Sequence, residues 1–227
     1  MREVIAISLA VLSMVWGGTV YGQEESRVPT GETSPHEIYG GLYLLGSFPR
    51  SRALVLEGQP LNQTEILNGA GAGFRAGIFP SFTRGVLGIQ ADTFGFGHEI
   101  SAPPAIGSAG NRSAKGTLIA GNTLVSIVVR YPGSYVQPYA GVGAGLSSAH
   151  LAKTELVQGA SRQTGTAGDM SLAHQYFAGA RANLSSGLFL FGEYRWFSAR
   201  YTWTGALAPS LEVRSQMIVA GVGMSFD

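Results

Sequence analysis

The sequence predicts an all-β fold, an eight-stranded antiparallel transmembrane β-barrel built as an up-and-down meander. Three observations predict it: apolar residues recur at every second position, sustained helical periodicity is missing, and short turns alternate with long connections. Of the 227 residues, 33 are glycine and only 13% are charged, whereas about 25% is typical of soluble domains. The composition therefore favours a barrel whose outer surface faces lipid rather than water.

Composition also excludes several classes of function. A chain without cysteine has no disulfide framework, no thiolate metal site and no cysteine nucleophile. A formal net charge of +1 provides no electrostatic footprint for nucleic acid. The sequence contains no phosphate-binding loop, zinc-binding histidine pair or calcium loop. We therefore predict no cofactor and no metal site.

The N-terminus has the pattern of a secretory signal peptide, predicted over residues 1–22. Arg2 supplies positive charge ahead of an apolar run at residues 4–15. This run is too short to cross a bilayer as a helix, which needs about 20 residues. An N-terminal anchor or a buried helix is the alternative interpretation. Polar residues 23–35 are predicted to form a flexible leader, which leaves 36–227 as the barrel domain.

Eight strands and their connections are predicted for this domain. Short turns follow the second, fourth and sixth strands, at residues 83–84, 132–134 and 185–186, and long connections follow the first, third, fifth and seventh. A meander with its short turns at one end and its long loops at the other is typical of membrane barrels with external loops. The predicted strands are 37–48, 73–82, 85–96, 117–131, 135–147, 171–184, 187–201 and 212–226.

Charged residues decide which face of the strands points to lipid. Five charges lie opposite the apolar face of their strands, and Arg or Lys on the lipid face would cost about 2–4 kcal/mol near the midplane. We therefore expect all five to point into the lumen and to neutralise one another. A soluble barrel or sandwich is the alternative, but its outer face would need many more lysines and glutamates. The predicted lumen charges are Arg75, Asp92, Arg130, Glu193 and Arg195.

Aromatic residues near the strand ends are predicted to form girdles at the two membrane interfaces. Tyr131 and Tyr135 flank one short turn. Trp196, Tyr201 and Trp203 approach a long loop. The alternative is that these rings fill the core of a soluble sandwich.

Three segments resemble a known family. Residues 135–145 (YVQPYAGVGAG), 177–195 (ending in Glu-Tyr-Arg) and 219–226 (VAGVGMSF) are similar to strands of small outer-membrane β-barrel proteins, the superfamily of the OmpA-like transmembrane domain and the opacity-type surface proteins. The resemblance covers most of 36–227. It implies location in the outer membrane, contact with membrane lipid, and Phe226 as the terminal aromatic residue recognised by the barrel assembly machinery.

The expected function is structural or surface-interacting, with external loops that meet an extracellular ligand and a lumen plugged by paired charges. An eight-stranded barrel is just wide enough to be filled by side chains, and we expect a monomer. One alternative is a narrow conduit for a small or hydrophobic solute. Another is a lipid-modifying or proteolytic enzyme, for which the candidate residues are His98, Glu99, Ser147, Ser148, His150, Glu155 and His174. Their spacing matches no specific catalytic motif, so we predict a protein without enzyme activity.

Overall fold

Eight long strands form the structure, a computed structural model that describes residues 36–50, 55–56, 59–60, 65–102, 112–133, 135–158, 161–185, 187–202 and 210–226. The predicted signal peptide and leader lie outside these residues. Within the described ranges, no helix has the length and hydropathy that crossing a bilayer requires. The strands are β1 Glu37–Pro49, β2 Gly69–Phe79, β3 Leu87–Ala102, β4 Arg112–Arg130, β5 Val136–Gln158, β6 Ser161–Asn183, β7 Leu188–Thr202 and β8 Ser210–Phe226.

Pairing between the first and last strands closes the sheet into a barrel. Each strand is antiparallel to its chain neighbour, and β1 pairs with β8 from Ile38 opposite Phe226 to Pro49 opposite Ser215. The predicted eight-stranded antiparallel barrel is confirmed. We call the end with the three short connections the turn end, and the opposite end the loop end. Near the loop end, Glu65–Ile66 pairs with β3, and Val55–Leu56 pairs with Gln59–Pro60 and with the start of β8.

Side chains alternate between the lumen and the outer surface along every strand. In β7 the pattern is strictly alternating from Leu188 to Trp196, with apolar and aromatic side chains outside and Phe189, Phe191, Glu193 and Arg195 inside. The outer surface carries more than twenty exposed large apolar side chains, among them Leu42, Ile127 and Val222. A soluble protein rarely exposes a continuous apolar surface of this extent. The outer face is therefore suited to lipid, as a transmembrane barrel requires.

The first turn differs from its prediction. β2 ends at Phe79 rather than at residue 82, because Pro80 has no N–H to donate to a ladder. Residues Ser81–Thr83 form one turn of 3₁₀ helix instead, and Thr83 Oγ1 donates to the Pro80 carbonyl at 2.8 Å. Arg84 and Gly85 then have positive φ angles of 53° and 72°, which reverse the chain into β3 at Leu87.

The third long connection also differs from its prediction. Most of the predicted loop at 148–170 is strand, because β5 continues to Gln158 and β6 begins at Ser161. The two strands stay paired almost to the tip, where Gln158 lies opposite Ser161. β3 and β4 likewise extend past their predicted limits, to Ala102 and from Arg112. Outside the bilayer both faces of a strand can be polar, so the alternation that predicts strands disappears there.

Candidate functional site

Four of the five predicted lumen charges lie together midway along the barrel. We call Arg75, Asp92, Glu193 and Arg195 the central cluster. Arg195 Nη2 lies 2.7 Å from Asp92 Oδ2 and 2.6 Å from Glu193 Oε1, and Arg75 Nη1 lies 3.0 Å from Glu193 Oε2. All four residues are buried. Two cations face two anions, so the cluster is formally neutral, as buried charges require.

The register of the strands brings these charges together. Arg75 on β2 lies directly opposite Asp92 on β3. Glu193 and Arg195 are two residues apart on β7, which places both on its inward face. Because β7 is not a sheet neighbour of β2 or β3, the ion pairs cross the lumen. The cluster therefore ties distant parts of the barrel wall to each other.

Tyrosines complete the hydrogen bonding of the central cluster. Tyr43 donates to Asp92, and Tyr139 donates to Glu193 Oε2 at 3.1 Å. Tyr39 donates to the Gln90 amide oxygen at 2.9 Å. Sequence reasoning did not identify these tyrosines as site residues. Tyr43 alternates with the exposed Leu42 and Leu44 along β1, and this alternation is the signal that could have directed it inward.

Aromatic rings cover the arginines of the central cluster. The guanidinium carbon of Arg75 lies 3.6 Å from the ring centre of Phe191, and that of Arg195 lies 4.8 Å from Phe94. Such cation–π contacts stabilise a cation that has left water. The rings also fill the lumen beside the ions. Charge and packing thus close the middle of the barrel together.

Arg130 does not join the central cluster, which corrects the expectation that all five charges pair with one another. It lies at the end of β4, six residues from Leu124, the residue opposite Asp92, and six strand residues span about 20 Å. Its partner is Glu37, whose Oε2 is 2.6 Å from Arg130 Nη2. Arg181 Nη1 contacts Glu37 Oε1 at 2.5 Å.

We call Glu37, Arg130 and Arg181 the turn-end cluster. Rings of Phe79 and Phe189 stack on its two guanidinium groups, at 3.8 Å and 4.0 Å from the ring centres. Glu37 and Arg181 were missed at the sequence level. Glu37 is the first residue of β1, and it is a boundary position for which strand alternation gives no direction.

A small cavity separates the two clusters. Its volume is about 20 Å³, and its lining includes Arg75, Gln90, Arg130 and Tyr139. A space of this size holds a water molecule or two. The Nε and Nη2 atoms of Arg75 and the amide nitrogen of Gln90 have no protein partner among the described residues. These donors are suited to ordered water.

Toward the loop end the lumen is filled by aromatic and hydrogen-bonded side chains. The Phe197 ring packs edge-on against Phe94 and Phe96, at 5.7 and 5.6 Å between ring centres. Ser147 Oγ lies 2.5 Å from Asn122 Oδ1 and 2.5 Å from the Tyr201 hydroxyl. The prediction that Tyr201 belongs to an interface girdle is wrong, because its side chain is inward and fully buried. Tyr131, Tyr135 and Trp196 do face outward, and Trp203 lies outside the described residues.

Among the described side chains, the serines and histidines considered for an enzyme site do not come together. Ser147 points into the lumen, whereas His150 is exposed on the outer face of the same strand, 3.5 Å from Ser148 Oγ. His98 is buried and contacts Ser47 Oγ at 3.2 Å and the Leu67 carbonyl at 2.9 Å. His174 is on the outer surface of β6, and the Glu155 side chain lies outside the described part. Among the residues described, no group of three His, Cys, Asp or Glu could hold a metal ion.

Phe226 is the last residue of β8, and its ring is exposed on the outer surface opposite Ile38 of β1. The lumen charges and Phe226 are thus placed on opposite faces of the same wall.

Comparison with known proteins finds structural likeness only. No family model and no curated protein matches the chain. Solved structures that resemble it include Neisserial surface protein A, with 15% identity, TM-score 0.49 and coverage of 83% of this chain and 97% of that one. Outer membrane protein OprG from Pseudomonas aeruginosa has 13% identity, TM-score 0.49 and coverage of 86% and 98%. The attachment invasion locus protein of Yersinia pestis, solved with the heparin analogue sucrose octasulfate, has 16% identity, TM-score 0.46 and coverage of 85% and 100%.

Proposed function

We propose that this chain is an outer-membrane barrel with a closed lumen, and that it acts as a surface-interaction protein through the part of its wall that projects beyond the bilayer. The observation that carries this proposal is the length of β5 and β6, 23 residues each. A tilted strand crosses the hydrocarbon layer with about 9–11 residues. More than half of each strand therefore stands outside the membrane at the loop end.

The projection is an ordered sheet rather than a loose loop. β5 pairs with β4 out to Gln158 opposite Arg112, and with β6 out to Ser161. About 12 residues beyond the membrane correspond to a rise of roughly 40 Å along the strand. Three paired strands thus form a wall that holds its outer residues away from the membrane surface.

One edge of this wall is open in the described part of the chain. β6 pairs with β7 only from Asn183 to Ala173, so no described strand pairs with residues 161–172 on that side. An unpaired edge offers a row of backbone N–H and C=O groups to an added strand. The proposed partner is therefore an extracellular polypeptide that binds in extended conformation.

The lumen supports a non-conducting and non-enzymatic role. Ion pairs and aromatic rings fill it at three levels, and the cavity of about 20 Å³ is too small for a solute larger than water. Removal of the signal peptide, recognition of Phe226 by the assembly machinery and a monomeric state remain parts of the proposal.

Trimming the projection tests the surface role. We expect a variant in which a two-residue Asn-Gly turn joins Ala149 to Asp169, which are paired across the hairpin, to form the barrel but lose adhesion. The measurements are heat-modifiable gel mobility, for folding, and attachment of expressing cells to an epithelial monolayer. Transfer of residues 150–168 onto an inert eight-stranded barrel should transfer attachment. Equal attachment by trimmed and wild-type barrels, or none by the wild type, would contradict the proposal.

A further inference from the structure

On the outer faces of β7 and β8, polar side chains replace apolar ones at the same distance from the turn end. The outward positions of β8 are apolar from Phe226 to Ile218, and they become Gln216, Arg214 and Glu212 farther along. Trp196 lies opposite Gln216, Ser198 opposite Arg214 and Arg200 opposite Glu212. Arg214 and Arg200 are each 12 positions from the turn end of their strands. They therefore lie just outside the 9–11 residues that cross hydrocarbon.

A cleft opens on the outer wall at this boundary. Its volume is about 450 Å³, and we call it the rim cleft. Trp196 and Tyr176 line its membrane side, and Arg50 and Arg214 line it together with Glu212 and His174. The cleft thus presents aromatic surface toward the hydrocarbon and guanidinium groups toward the headgroup region.

Charges around the rim cleft are predominantly positive. Glu212 forms ion pairs with two arginines: its Oε1 lies 2.6 Å from Arg214 Nε, and its Oε2 lies 3.5 Å from Arg200 Nη2. The side chains of Arg214 and Arg200 nevertheless remain 50% and 74% exposed. Arg50 adds a third arginine at the rim cleft, so these four residues carry a net charge of +2.

Arg50 is oriented toward the cleft by its neighbours. With its amide oxygen turned to Arg50, Gln216 accepts from Nε at 3.2 Å and from Nη2 at 2.7 Å, and its amide nitrogen donates to the Tyr194 hydroxyl at 3.0 Å. The Tyr194 ring in turn packs against Trp196, with 4.6 Å between ring centres. The backbone N–H of Arg50 also donates to the Arg214 carbonyl at 2.8 Å.

We propose that the rim cleft binds the phosphate of a lipid headgroup in the surrounding leaflet, with Arg50 and Arg214 as the phosphate ligands and the Trp196 and Tyr176 rings against the upper part of the acyl chains. Planar guanidinium groups match phosphate oxygens in charge and geometry. The position of the rim cleft at the membrane boundary favours a lipid over a soluble anion, because the aromatic side of the cleft faces hydrocarbon. This inference rests on the membrane-spanning barrel and is independent of the projecting sheet.

Tryptophan quenching by brominated lipid tests the site. In the full chain carrying Trp16→Phe and Trp203→Phe, Trp196 is the only tryptophan. The protein is refolded in phosphatidylcholine vesicles that contain an equal fraction of dibrominated phosphatidic acid or dibrominated phosphatidylcholine. We expect the phosphatidic acid to quench Trp196 with an apparent affinity roughly fivefold higher or more, since each basic residue near an anionic headgroup contributes about this factor.

Arg50→Gln with Arg214→Gln should reduce the preference to about one, while Arg84→Gln should leave it unchanged, because Arg84 is exposed in a turn at the opposite end. If the double variant lacks heat-modifiable mobility, the two single variants are compared in its place. A preference that persists in the folded arginine variants, or that is absent from the wild type, would overturn the proposal. Loss of the preference on adding millimolar inorganic phosphate would assign the site to a soluble anion instead of a lipid.

Discussion

Arg195 is shared between two carboxylates that come from different parts of the barrel wall, Asp92 on β3 and Glu193 on β7. None of these side chains reaches solvent. In such an arrangement the net value of the ion pairs is small, but the cost of removing one partner is large, because the other charge remains buried. Each charge of the central cluster therefore depends on the others to remain stable in the lumen.

Replacing Glu193 by Gln should lower the free energy of unfolding by about 3–5 kcal/mol, because Arg75 and Arg195 lose a shared counter-charge. The measurement is urea unfolding of the protein in lipid vesicles, followed by heat-modifiable mobility. Glu37→Gln should cost less, since the Glu37 side chain is 16% exposed at the turn end.

Glu99→Gln is the matched control, because Glu99 is exposed on the outside of β3 near the loop end. Its effect should stay within about 0.5 kcal/mol, as for ordinary surface substitutions. If Glu193→Gln changes the free energy of unfolding as little as this control does, the charges of the central cluster do not depend on one another for stability.

Residue-level reasoning located the lumen charges but not all their partners. Strand parity and the cost of charge in lipid were sufficient to direct Arg75, Asp92, Glu193 and Arg195 inward. Alternation shows which face of the wall a side chain occupies but not how far along the barrel it lies. It therefore could not separate Arg130 from the four residues of the central cluster. The pairing of Arg130 with Glu37 depends on the stagger between β1 and β4, which are not sheet neighbours.

At the scale of secondary-structure elements, the glycines of β2 show how closely the inside of the barrel is packed. A Cβ atom added at Gly73 would lie 2.5 Å from the ring carbon that bears the Tyr43 hydroxyl, and one added at Gly77 would lie 2.5 Å from the equivalent atom of Tyr39. The small residues on β2 thus leave the space that the lumen tyrosines of β1 occupy. This space lets Tyr43 reach Asp92.

Gly73→Val should destabilise the barrel by about 1–3 kcal/mol through overpacking, because Tyr43 has to leave its position. Gly121→Val on β4 is the control: the added Cβ has no neighbour within 4 Å and faces outward, so we expect a neutral or slightly stabilising effect. Both are measured by urea unfolding in vesicles. Equal effects of the two substitutions would contradict the packing described for the lumen.

The elements also show where sequence patterns lose their predictive value. At the turn end, alternation placed the limits of all eight strands within three residues of those observed. Beyond the membrane, β5 continues for 11 residues past its predicted end at 147, to Gln158. Backbone pairing maintains the strand there, and pairing depends on the neighbouring strand rather than on the local apolar pattern.

At the scale of the whole molecule, layers of side chains close the lumen. The turn-end cluster, the central cluster and the Phe94, Phe96 and Phe197 rings succeed one another along the barrel. We expect no steady ion conductance from the reconstituted protein in planar bilayers. Glu193→Ala should remain closed as well, because the phenylalanine layer is independent of that carboxylate. Stepwise conductance that Glu193→Ala alters would favour the conduit hypothesis instead.

The membrane orientation of the wall is the premise for all these features, and the absence of cysteine from the chain makes it directly measurable. Single cysteines at consecutive positions 122–129 of β4 can be spin-labelled in vesicles, and their collision rates with oxygen and with a water-soluble nickel complex compared. We predict a two-residue period, in which Thr123, Val125, Ile127 and Val129 have high access to oxygen and low access to nickel. High nickel access at these four positions would show that water, not lipid, surrounds the barrel, and would contradict the account.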